Sequence, residues 1–79
     1  MQSRFDQLVR EQLATMEKLL FIQGEIERCQ QLQTLLQDDE MIQEVESQIS
    51  EMRQQLHNIQ KTFERQTEEV IKTYQLEHI

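Results

Sequence analysis

Few residues in this chain carry reactive chemistry, and their spacing gives them little to work with. Cys29 is the single cysteine, and only Arg28 stands beside it as a cation, with no histidine nearby. A thiol acts as a nucleophile when a neighbouring base or positive charge favours the thiolate, so catalysis at Cys29 has little support. His57 and His78 have no His or Cys three or four residues away, the spacing at which one helix face offers two ligands to a metal. Asp38, Asp39, Glu40, Glu44, Glu46 and Glu51 form an acidic stretch with no Lys or Arg inside it. General acid–base catalysis needs carboxyls held away from bulk water and tuned by their surroundings, and nothing in this stretch pairs an acid with a base walled off from water. It suits the docking of a basic partner or, more simply, a solvated face and an acid-rich helix start. The residues point to no enzyme, no cofactor and no metal site.

The strong pattern is apolar. Ile42, Val45, Ile49, Met52, Leu56, Ile59 and Phe63 follow one another at steps of 3, 4, 3, 4, 3 and 4. That alternation keeps one edge of an α-helix turned toward a neighbouring helix, whereas a strand needs a period of two. Ile42, Ile49, Leu56 and Phe63 take the a positions of the heptad, and Val45, Met52 and Ile59 take d. The flanking residues, Gln48, Arg53, Gln55, Gln60, Thr62 and Thr67, carry little charge and do not specify strand direction. Gln66 and Val70 extend the register. Gln66 reads either as a polar layer that sets alignment at some cost in stability or, more simply, as the place where the seam ends.

The N-terminal half has its own seam, Phe5, Leu8, Gln12, Thr15, Leu19, Ile22, Ile26 and Cys29, at the same 3 and 4 spacing. Ser3 and Asp6 match a helix start, since the Ser hydroxyl accepts from the amide three residues on. A second row, Val9, Leu13, Met16 and Leu20, runs beside the seam. The rows converge in Leu19-Leu20-Phe21-Ile22, which spreads apolar surface around more than half a helix. Such a surface suits more than one neighbour. Gly24, the single glycine, allows a close approach or a mild bend.

Between Cys29 and Ile42 the register breaks. Leu32, Leu35 and Leu36 still mark an apolar face, but the later heptad projected backward places Asp38, Gln31, Arg28 and Gly24 in the core. The division is then an N-terminal helical segment over 3–36, a break at 37–41 and a heptad segment over 42–77. Two all-α arrangements follow. The favoured one is a long amphipathic helix, about 110 Å if unbroken, forming a coiled coil, with a dimer preferred. The alternative is a helical hairpin turning near 37–40, whose equal arms build an antiparallel or four-helix bundle. Matched arms argue for the hairpin, and the absence of Gly or Pro at the turn argues against it.

Composition agrees with either arrangement. The chain has 79 residues, no proline and a net charge of −7. A chain this short builds a core poorly without disulfides, metals or association. The negative charge disfavours nucleic acid and anionic lipid, and no apolar run reaches the roughly 20 residues needed for membrane insertion. One cysteine points to an intracellular, cytoplasmic chain, and the fading C-terminal heptads suggest a segment of a larger protein. In composition and period the chain resembles coiled-coil segments of intracellular scaffold, trafficking and cytoskeletal proteins.

The expected function is non-catalytic self-association, most simply as a homodimer. The expected interface between copies comprises Phe5, Leu8, Leu19, Ile22, Ile26, Cys29, Leu32, Leu36, Ile42, Val45, Ile49, Met52, Leu56, Ile59, Phe63 and Val70. The alternative is a module that binds another helical protein, a small GTPase or a motor through Leu20 and Phe21 in the 19–22 patch, or through Asp38, Asp39 and Glu40 in the acidic stretch.

Overall fold

The computed structural model describes residues 3–77; His78 lies outside them. Two long helices make up the fold, α1 at Arg4–Leu35 and α2 at Asp39–Glu77, packed on each other as a hairpin. The particle measures 61 × 18 × 14 Å. It is all-α, as the composition requires. Of the two arrangements open to the sequence it takes the hairpin, not the continuous rod of about 110 Å.

The register break explains that choice. The α1 seam runs on through Gln33 and Leu36 at heptad spacing, so an unbroken helix would place the next a residue at Glu40. The α2 seam starts instead at Ile42. Two extra residues rotate the seam by about 200° in a straight helix, at 3.6 residues per turn. The two apolar edges would then face nearly opposite ways, and no single neighbour could cover both. Folding back lets each edge cover the other.

The turn is short and needs no glycine. Leu36 caps α1 in an extended conformation (φ −81°, ψ 141°), and its amide donates to the Gln33 carbonyl at 3.4 Å. Any residue can adopt that backbone, and no described residue has positive φ. Asp38 then caps α2, its carboxylate accepting from the Glu40 amide at 2.9 Å. Asp39 and Glu40 occupy the first turn of α2, where negative charge opposes the helix dipole. At the other end Ser3 caps α1 by accepting from the Asp6 amide at 3.1 Å. The break therefore occupies residues 36–38 rather than 37–41.

Three contacts set the alignment of the arms. The Phe5 and Tyr74 rings lie 5.5 Å apart with a tilt of 55°, a geometry that aromatic quadrupoles favour. Further along, the Gln12 amide donates to the Thr67 hydroxyl, which in turn donates to the Phe63 carbonyl at 3.0 Å. Near the turn the Gln33 amide reaches the Ile42 carbonyl at 3.4 Å. In this register Gln12 stands level with Gln66 and Thr67.

Candidate functional site

The residues expected to join separate chains meet within one chain. Leu8, Ile26 and Ile49 are buried, and Phe5, Leu19, Ile22, Cys29, Leu36, Ile42, Val45, Met52, Leu56, Ile59, Phe63 and Val70 are half-buried along the line where α1 meets α2. Leu32 is the exception, at 47% exposure. Gln33 occupies the seam position next to it because the α1 heptad runs on unbroken, which turns Leu32 to the side. Sequence reasoning that ranks residues by hydrophobicity picks Leu32; the spacing from Phe5 picks Gln33.

The seam does not end at Gln66. Gln66 is half-buried, Thr67, Val70 and Thr73 follow it against α1, and Thr15 is buried on the facing helix. Thr15 satisfies its hydroxyl by donating to the Glu11 carbonyl at 3.1 Å. Among the described residues the Gln66 side-chain carbonyl is enclosed without a hydrogen-bond partner, which costs about 1–3 kcal/mol. Gln12, Gln66 and Thr67 thus form a polar layer inside the seam, readable only once the facing helix is known.

Two helices cannot enclose a core. Most seam residues keep part of their surface in water, and two shallow grooves run along the flanks of the seam. One is lined by Thr15, Lys18, Asn58, Ile59 and Thr62, the other by Gln23, Ile26, Glu27, Arg53 and Leu56. Neither gathers a nucleophile with a base. Among the described residues no group of three His, Cys, Asp or Glu side chains comes close enough to hold a metal ion, and no helix is long and apolar enough to cross a membrane.

The 19–22 cluster splits three ways. Leu19 and Ile22 face α2, whereas Leu20 and Phe21 are exposed on different sides of α1. Leu20 belongs to the row with Val9, Leu13 and Met16, of which Leu13 is 54% exposed, Met16 40% and Leu20 59%. Phe21, 66% exposed, lies on another side, in the direction of Leu32 and Leu35. Asp38, Asp39 and Glu40 are exposed at the turn. Gly24 is exposed, and a Cβ added there meets nothing within 4 Å, so it serves no close approach.

Charge is unevenly distributed along the hairpin. Residues 21–57, the half containing the turn, hold eight carboxylates against Arg28 and Arg53. The remaining residues balance seven carboxylates with six Lys or Arg. The row of half-buried Val9 and exposed Leu13, Met16 and Leu20 lies in the nearly neutral half.

Comparison with known proteins gives this fold a family. No solved structure matches the chain. A curated relative, "Uncharacterized protein YgaB" of Bacillus subtilis (strain 168), is 39% identical over 75 residues, covering 91% of this chain. The chain spans 66% of that relative's length. The match to the family described as "YgaB-like protein" covers residues 4–77, both helices and the turn between them. The chain belongs to the YgaB-like protein family.

Proposed function

We propose that this hairpin is a non-catalytic self-association module in which copies pair through the outer face of α1. The observation that carries this reading is the row Val9, Leu13, Met16 and Leu20, with its last three members 54%, 40% and 59% exposed. These residues repeat at steps of 4, 3 and 4, the spacing of a second packing edge. Apolar surface of this kind, ordered in a row rather than scattered, marks an interaction site. A two-helix particle also buries too little to be very stable alone. Pairing hairpins into a four-helix coiled-coil bundle would cover both the row and one groove of the seam. The setting is an intracellular scaffold or trafficking assembly in which the bundle holds attached segments together.

The test is sedimentation equilibrium on the 79-residue chain and on Leu13→Glu/Leu20→Glu. The parent should associate reversibly to a dimer, and the variant should remain a single chain. A parent that stays monomeric at high micromolar concentration contradicts the proposal.

A second reading has its own observation. Phe21 and Leu35 are 66% and 77% exposed in the acidic half, Leu35 three residues before Asp38. That surface suits a basic amphipathic helix from a different protein, such as a GTPase- or motor-associated coiled coil. Phe21→Glu would then abolish capture of such a partner while leaving helicity and mass unchanged.

A further inference from the structure

The row on α1 is flanked by charges of both signs. Within that row the apolar steps end cleanly. Asp6 precedes Val9 and Gln23 follows Leu20 at the same spacing, so four apolar residues lie between polar ends. A helix edge with this layout can meet a copy of itself in antiparallel sense, about a two-fold axis between Leu13 and Met16. Val9 then stands level with Leu20 of the other copy, Leu13 with its Met16, and Asp6 with its Gln23.

Arg10 and Glu17 flank the row on one side, seven residues apart and therefore at equivalent heptad positions. Both are exposed, and the ion pair present among the described residues, Arg28–Glu25 at 2.5 Å, involves neither. In antiparallel packing, residues on the same flank face one another across the core. The hairpin shows this relation internally, where Gln23 and Arg53 of the two flanks line one groove with the core residues Ile26 and Leu56. Applied to two copies of α1, it brings Arg10 of each copy beside Glu17 of the other. An isologous interface makes every such contact twice.

We infer that two copies of this chain dimerise antiparallel through α1, with Val9, Leu13, Met16 and Leu20 as the core and reciprocal Arg10–Glu17 pairs across the two-fold axis. This rests on the self-association reading and specifies its geometry. Parallel packing would put like residues level, so Arg10 would not meet Glu17. It would also bring two acidic turns side by side, each from a half with eight carboxylates and two cations. Antiparallel packing overlaps the nearly neutral halves and sends the turns to opposite ends, roughly 65 Å apart at 1.5 Å rise per residue.

Charge reversal tests the pairing. Arg10→Glu sets Glu against Glu at both symmetry-related sites, and Glu17→Arg sets Arg against Arg. Each variant alone should dimerise about tenfold more weakly than the parent, the equivalent of 1.4 kcal/mol. An equimolar mixture should regain parental affinity, because both pairs of the mixed dimer are again opposite in charge. The double variant Arg10→Glu/Glu17→Arg should dimerise like the parent. Sedimentation velocity gives the affinities and native mass spectrometry counts mixed against self dimers. The recovery on mixing also shows that the single variants are folded. If the parent dimerises and neither reversal weakens it, or mixing restores nothing, the antiparallel pairing is wrong while self-association stands. If the parent is a monomer, both fail.

Discussion

Two rows of apolar side chains outside the seam, all exposed but the half-buried Val9, decorate α1, and they differ in continuity. In the half near the termini, Val9, Leu13, Met16 and Leu20 repeat without interruption on one side of the helix. In the half near the turn, Phe21, Leu32 and Leu35 lie on another side, at 66%, 47% and 77% exposure, and the charged pair Arg28–Glu25 falls between them. The first row has a nearly neutral setting and the second a strongly acidic one. Under the proposed self-association, the first row would meet its own copy and the second would repel it. Exposure alone does not distinguish the two; spacing and charge do.

The largest effect should come from breaking what both halves share. Ile49 is 5% exposed and packs under α1 near the acidic turn. Ile49→Asp buries an unpaired charge in the seam, a change expected to cost about 3 kcal/mol or more. Circular dichroism should show loss of most helical signal, since neither half can keep its exposed row in place without the seam.

A smaller and opposite effect is expected at the polar layer. Gln66→Leu removes the enclosed carbonyl that lacks a partner and adds apolar area opposite Gln12, which keeps its bond to Thr67. The melting midpoint should rise, corresponding to about 1–2 kcal/mol. A fall would mean that Gln66 does more for the half near the termini than align it. The smallest change tests the boundary between the two rows. Gly24→Ala places a methyl group where nothing lies within 4 Å. Stability should increase by about 1 kcal/mol, with no change in association. A loss of association would show that the first row extends past Leu20.

Both seams are legible in the spacing of the chain because a heptad edge names its residues whatever covers them. Ser3 is likewise legible as a cap, since its side chain satisfies an amide that a helix start always leaves free. The turn is not. A helix that stops at an extended Leu36 leaves no signature, because that backbone suits any residue. What marks the turn is the phase of the two seams: the α1 heptad runs through Gln33 to Leu36, and Ile42 is out of phase with it by two residues. Gln66 misleads for a related reason. A polar residue in a seam looks like its end until Gln12 is found level with it on the facing helix. The row Val9–Leu20 is visible in the sequence, but which of the two α1 edges the hairpin uses follows only from the fold.

The division of labour between the two edges of α1 is tested most directly by the helical signal of Leu13→Glu/Leu20→Glu followed over a wide dilution range. A hairpin that folds within one chain and loses only its partner predicts a signal that does not change with concentration. A signal that falls as the protein is diluted would show that the seam itself joins separate chains.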